Sequence, residues 1–217
     1  MTMIKAVLFD LDGTFADTAP DLSYALNVMR LARNLPVVPL DSTRPVTSHG
    51  ARGLLGVGFG LTPDHADYGA MRTEFLNIYE RNLCRDTVLF PGMSELIQQL
   101  EARDCRWGIV TNKAERFALP LMAQLKLETR CACVIGGDTA KRMKPYPDPL
   151  FAACRVLDVA PEACMYVGDD SRDIEAGRAA GMRTVAVRYG YLNGGEPDSW
   201  SADVVVDRPQ DVLRHLA

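Results

Sequence analysis

Asp10 and Asp12 stand two residues apart directly after the apolar run Ala6-Val7-Leu8-Phe9, in the stretch Asp10-Leu11-Asp12-Gly13-Thr14. A short apolar run without alternation reads as a strand buried on both faces. Running such a strand into two carboxylates is costly unless they meet a cation or a positively charged partner. Turn chemistry accounts for Gly13 but not for two acids at this spacing. Other apolar runs also end in polar groups: Thr111-Asn112-Lys113 follows Gly108-Ile109-Val110, and Gly168-Asp169-Asp170-Ser171-Arg172-Asp173 follows Met165-Tyr166-Val167. Lys144-Pro145 precedes a helical pattern. Taken singly, Thr-Asn after a strand is a common helix N-cap and a lysine before proline a common solvated loop residue. The acidic stretch points further: Asp170 and Asp173 are helix-cap candidates, which leaves Asp169 in the crevice beside two more carboxylates and favours metal binding there.

The elements that must carry these groups follow from periodicity. Short apolar runs at Lys5–Phe9, Arg106–Val110, Cys133–Ile135, Met165–Val167, Thr184–Val187 and Val204–Val206 read as strands. Helical spacing separates several of them, with Leu96, Ile97 and Leu100 after Pro91-Gly92, Phe117, Leu121 and Leu125 after Thr111-Asn112, and Leu150, Phe151, Cys154 and Leu157 after Pro149. Alternating strand and helix implies an α/β fold, a parallel sheet with helices on both faces, whose ligands bind at the carboxyl ends of the strands. Between the first strand and Val88 the pattern is helical: Leu22, Ala25, Leu26 and Met29 follow Thr18-Ala19-Pro20-Asp21, and Met71, Phe75, Ile78, Tyr79 and Leu83 mark a second long helix. The expected organisation is a discontinuous core, residues 1–14 and 86–217, interrupted by a helical insertion over residues 15–85. Gly56, Gly58 and Gly60 form G-x-G-x-G, which misses the dinucleotide fingerprint and reads as a packed or flexible segment of the insertion.

With 217 residues, 47% hydrophobic and 24% charged, the chain has the composition of an ordered protein with a substantial core. Lys and Arg number 24 against 28 Asp and Glu, a net charge of -4 with no basic block, which argues against nucleic acid or an anionic membrane as partner and for a small molecule. No export signal is evident, and six dispersed cysteines read as reduced thiols; the expectation is cytoplasmic residence. Cys131-x-Cys133 lacks both the redox spacing and a second ligand pair for zinc.

Together, D-x-D-G-T, the strand-end Thr111, Lys144 and the terminal acidic group resemble the four signatures of the haloacid dehalogenase superfamily, in that family's order and across the whole chain. Lys144-Pro145-Tyr146-Pro147 with Val167-Gly168-Asp169-Asp170 is similar to the phosphoglycolate phosphatase branch. The stretch Asp17 to Asp21, Gly50-Ala51-Arg52 and Ala186 to Tyr191 are also similar to bacterial N-acetylmuramic acid 6-phosphate phosphatases. Phe15 stands where Leu is commoner in the family, a packing difference. The resemblance implies a Rossmann-like core under an α-helical cap and a Mg²⁺-dependent phosphatase working through an aspartyl-phosphate. It makes Asp10 the nucleophile and Asp12 the acid and base, with Thr111 and Lys144 stabilising the transferring phosphoryl group. Mg²⁺ would be held by Asp10, the backbone carbonyl of Asp12 and Asp169, with Asp170 or Asp173 completing or orienting the shell.

Substrate contacts are expected from Thr111, Asn112 and Lys113 on the core and from Ser48, His49, Gly50 and Arg52 on the cap. 2-Phosphoglycolate ranks first and N-acetylmuramic acid 6-phosphate second. Both carry a carboxylate, so cavity volume is what separates them. A sugar phosphomutase and a phosphate-accepting signalling module are the remaining readings. The oligomer is expected to be a monomer or a homodimer.

Overall fold

A computed structural model describes residues 3–217. Six parallel strands form the main sheet: β1 (Ala6–Phe9), β4 (Arg106–Val110), β5 (Val134–Ile135), β6 (Cys164–Gly168), β7 (Arg183–Val187) and β8 (Val204–Val206), in spatial order β5-β4-β1-β6-β7-β8. From β1 the order runs outward through β4 to β5, then resumes on the other side at β6. The reversal opens a crevice beyond the carboxyl ends of β1 and β6. Phe9 pairs with both Ile109 and Val167, so Asp10, Thr111 and Asp169 emerge from adjacent strands at nearly one level.

Alternation along β1 sends Val7 and Phe9 to one face and Ala6 and Leu8 to the other. On the first face they join Leu96, Ile97 and Leu100 of α5 (Met93–Glu101) and Phe117, Ala118 and Leu121 of α6 (Glu115–Gln124). On the second they join Leu150, Ala153, Cys154 and Leu157 of α7 (Asp148–Leu157) and Ala176 of α8 (Ser171–Ala179). All six cysteines are free. None of the described helices is long and apolar enough to cross a membrane.

The helical insertion contains α1 (Ala19–Leu31), α2 (Leu40–Thr43), a 3-10 turn (Arg44–His49), α3 (Gly50–Phe59) and α4 (Tyr68–Arg81). Its two connections to the core pair as an antiparallel ribbon, β2 (Ala16–Asp17) with β3 (Val88–Leu89). Fully buried Asp21 fixes this base: its carboxylate accepts from Asp86 N at 2.7 Å, Thr87 N at 3.3 Å and Thr87 Oγ1 at 2.6 Å. Helix α1 begins where the sequence places it, but Thr18 does not cap it through its side chain. The Tyr191 hydroxyl accepts from Thr18 N and Ala19 N instead, at 2.7 and 2.9 Å.

Of the two readings of the glycine-rich segment, packed or flexible, the structure has the packed one, with residues 50–59 as a regular helix. Burial of Leu54 and Leu55 outweighs the low helix propensity of glycine. Gly58 is required by closeness, since a Cβ there would stand 2.4 Å from Leu26 Cδ1 of α1.

Candidate active site

Strand ends deliver Asp10, Thr111 and Asp169 to the crevice, the loop between β5 and α7 brings Lys144, and the first turn of α8 brings Asp173. Asp10 follows β1, and its N–H donates to Val167 O of β6 at 2.9 Å. Gly13 then turns the chain at φ +92; a Cβ there would stand 2.3 Å from Asp169 Oδ2, so sterics and backbone both select glycine. Thr14 returns to the site and donates to Asp169 Oδ1 at 2.7 Å. Tyr191 N donates to the other oxygen at 2.8 Å. Asp169, with no exposed surface, is thus oriented from both sides.

Lys144 is nearly inaccessible, and four groups surround its ammonium: Asp10 Oδ1 at 2.9 Å, Asp173 Oδ1 at 2.7 Å, the Tyr166 hydroxyl at 2.7 Å and Val110 O at 3.2 Å. The Asp10 contact supplies charge without hydrogen-bond alignment, because Asp10 Oδ1 is buried with no hydrogen-bond partner. Asn112 clamps the Lys144 backbone by two reciprocal 3.0 Å bonds, Nδ2 to Lys144 O and Lys144 N to Oδ1.

Carboxylate oxygens of Asp10, Asp169 and Asp173 all lie within 4.8 Å of one another. Burial, reinforced by the charges of Asp10 and Asp173, holds the Asp169 carboxyl well above the usual range. Burial also raises Asp173, against the pull of Lys144. For Lys144, burial opposes the charge, yet Asp10 and Asp173 prevail and its pKa is raised. Three buried carboxylates beside one lysine leave uncompensated negative charge. A cluster of all-oxygen donors within 4.8 Å of one another fits a hard divalent cation.

Asp12 occupies a different environment. Its Oδ1 accepts from Lys113 Nζ at 2.8 Å and from the Thr18 hydroxyl. Lys113 is largely buried beneath the insertion, 4.7 Å from the centroid of the Tyr79 ring. Tyr79 is itself buried, its hydroxyl without a hydrogen-bond partner, and burial pushes that phenol up to about 12.

Asp170 points away from the carboxylate cluster. It caps α8 by accepting from Arg172 N, and it pairs with the Arg172 guanidinium through two bonds of 2.7 and 2.8 Å. Arg172 also donates to Ser48 O of the insertion at 3.1 Å. His49 Nε2 meets Asn193 Nδ2 at 2.6 Å; burial, then the Arg172 charge, lower the imidazole pKa.

A cavity of about 600 Å³ between sheet and insertion brings these groups together. Asp10, Asp12, Thr111, Lys113 and Lys144 line it from the core, and Ser48, His49, Gly50 and Arg52 from the insertion. Asn112, Asp170 and Asp173 also border it, while Asp169 lies behind it. Sequence reasoning named Thr14 and Tyr191 only as parts of matching stretches and gave neither them nor Tyr166 a role. Tyr166 carried a signal of its own, a hydroxyl within an apolar strand that must find a partner once buried. Tyr79 was visible only as one apolar position of a helix.

The profile described as haloacid dehalogenase-like hydrolase matches residues 7–187. The chain belongs to that family. An N-acetylmuramic acid 6-phosphate phosphatase of Pseudomonas putida is 46% identical over 212 residues, covering 97% of this chain and 95% of that protein. A phosphoglycolate phosphatase of Xanthomonas campestris pv. campestris is 48% identical over 218 residues, covering 100% and 98%. Among solved structures, a predicted phosphoglycolate phosphatase from Haemophilus somnus superposes with a TM-score of 0.87 at 27% identity, covering 100% of both chains. The chain is a phosphoric monoester hydrolase of this family.

Proposed function

We propose that the chain hydrolyses the phosphate ester of a sugar-sized acid, N-acetylmuramic acid 6-phosphate, with Mg²⁺ as cofactor. The observation that carries the substrate is the cavity. At about 600 Å³ it falls within the range of roughly 300–1,000 Å³ that holds drug-sized ligands, and a two-carbon acid would leave most of it to water. Its lining suits a ring with one apolar face and an acidic substituent. Leu22, Tyr68, Phe75 and Leu76 supply apolar surface, and Arg52, Arg72 and Arg116 supply positive charge. 2-Phosphoglycolate, ranked first from sequence, is the second reading, supported by the similar identity to the Xanthomonas relative.

Asp10, the Asp12 carbonyl and Asp169 would hold Mg²⁺, with Asp173 against them; when bound, the ion neutralises the phosphoryl oxygens. Asp10 attacks phosphorus as the ester P–O bond breaks, and Asp12 passes a proton to the departing alkoxide. Water then loses a proton to Asp12 and attacks the aspartyl-phosphate; the bond between phosphorus and the Asp10 oxygen breaks, and phosphate leaves. Lys144 keeps Asp10 placed and offsets its charge. Thr111 offers a hydroxyl to the phosphoryl oxygens, while Asn112 fixes the Lys144 loop. The division that goes with this reading is the one expected from the sequence, a core drawn from residues 1–14 and 86–217 and a cap drawn from residues 15–85, of which residues 3–217 are described.

The test compares kcat/KM for phosphate release from N-acetylmuramic acid 6-phosphate, 2-phosphoglycolate and a hexose 1-phosphate in the presence of Mg²⁺. The amino-sugar ester is expected to lead by at least tenfold. A lead for phosphoglycolate supports the second reading, and an isomerised hexose phosphate without free phosphate would establish a mutase.

A further inference from the structure

The signature that supplies Asp169 and Asp173 to the carboxylate cluster contains a second charged pair that the hydrolytic steps do not use. Asp170 is 5% exposed, yet its carboxylate turns from the cluster to the Arg172 guanidinium. Both residues are fixed by the start of α8. Asp170 accepts from Arg172 N at 3.0 Å, and Asp173 Oδ2 accepts from Asp170 N at 3.1 Å. A two-pronged arginine–carboxylate pair is directional, and anchoring it in a capping box leaves little freedom to swing.

From that anchor two arms cross to consecutive residues of the insertion. Arg172 Nη2 donates to Ser48 O at 3.1 Å. Asn193 Nδ2 stands 2.6 Å from His49 Nε2 and 3.4 Å from Asp170 Oδ2. The two residues held are the last of the 3-10 turn, immediately before Gly50 opens α3. This is the stretch through which Ser48, His49, Gly50 and Arg52 line the cavity. The same α8 terminus therefore touches the carboxylate cluster through Asp173 and the opposite wall of the cavity through Arg172.

We infer that Asp170 and Arg172 are positioning residues that dock the substrate-facing turn of the cap onto the core, and that Asp170 is no part of the metal site. The inference rests on the phosphatase reading of the cavity but not on which ester fills it. Its chemical content is a division of labour within one hexapeptide: Asp169 and Asp173 serve the cation, whereas Asp170 and Arg172 set where the far wall stands when substrate arrives. Guanidinium planarity is essential, because one group must hold both Asp170 oxygens and still reach a backbone carbonyl. Lysine offers a point charge without that fork.

The experiment measures kcat, KM and the Mg²⁺ activation constant for wild type, Arg172→Gln, Arg172→Lys, Asp170→Asn and Asp173→Asn, using the ester that wild type hydrolyses best. Amide hydrogen exchange over residues 44–52 is followed in parallel. Arg172→Gln and Asp170→Asn are expected to raise KM about tenfold, with faster exchange in that stretch and a Mg²⁺ constant within about twofold of wild type. Arg172→Lys should fall between these variants and wild type. Asp173→Asn should raise the Mg²⁺ constant more than tenfold. A Mg²⁺ constant shifted as far by Asp170→Asn as by Asp173→Asn would overturn the inference, as would unchanged KM and exchange in Arg172→Gln. Global unfolding of both docking variants, seen as a lost thermal transition, would also overturn it. If wild type released phosphate from no ester, the phosphatase reading would fall, and the exchange comparison alone would decide whether the turn is docked.

Discussion

Replacing Lys144 with Met keeps much of the aliphatic stem and removes the one ammonium that lies against both Asp10 and Asp173 among the described residues. The ammonium lies 2.9 Å from Asp10 and 2.7 Å from Asp173, and its side chain is 2% exposed, so water cannot take over its role. Tyr166 retains Val110 O as hydrogen-bond partner at 2.7 Å, which confines the loss mainly to the carboxylates. Removing one partner of a buried pair costs about 3–5 kcal/mol. In a chain of this size each kcal/mol moves the melting temperature by roughly 2–4 °C, so in chelator Lys144→Met should melt about 6–20 °C below wild type. A divalent cation held in the same cluster would stabilise by about 2.7 kcal/mol at a hundredfold excess over its dissociation constant, so Mg²⁺ should recover roughly half to nine-tenths of that deficit. Turnover should fall by roughly 10²–10³, the usual loss when one donor to the developing charge is removed. Thermal melts with and without Mg²⁺ and initial rates of phosphate release test all three figures. An unchanged melting temperature in chelator, together with turnover within threefold of wild type, would refute the reasoning.

Two other perturbations have calculable outcomes. Asp12→Asn leaves Asp10 in place but removes the proton carrier, so steady-state turnover should drop about 10²–10⁴-fold with accumulation of phosphoenzyme, measured by acid quench; normal turnover would remove Asp12 from the mechanism. Asp21→Ala strands two N–H groups and a hydroxyl at the base of the insertion, and should cost about 1–3 kcal/mol, read as a shift in urea midpoint; no shift would mean that the Asp86–Thr87 contacts contribute nothing.

Legibility in the sequence divided along physical lines. Strand positions were readable because burial on both faces writes an uninterrupted apolar run, and Asp10, Thr111 and Asp169 followed because parallel strands deliver their ends to one edge. Lys144 was placed through resemblance; no local pattern distinguishes it from a loop lysine. Features made by distant pairs left no trace. Tyr191 serves both the Asp169 carboxylate and the first N–H groups of α1, more than 170 residues from the latter, and nothing around it announces either role. Asn112, expected at the substrate, borders the cavity, and its amide also clamps the Lys144 backbone, a pairing that depends on where the β5 loop returns. Helix α3 was hidden by its glycines, whose propensity argues against a helix until the packing of Leu54, Leu55 and Gly58 is known.

The most direct measurement is the location of the covalent phosphoryl group. Asp12→Asn protein mixed with substrate and Mg²⁺, quenched in acid and digested, should yield one phosphorylated peptide, with the modification on Asp10. A phosphoryl group on any other residue, or undiminished hydrolysis by Asp10→Asn, would contradict the account.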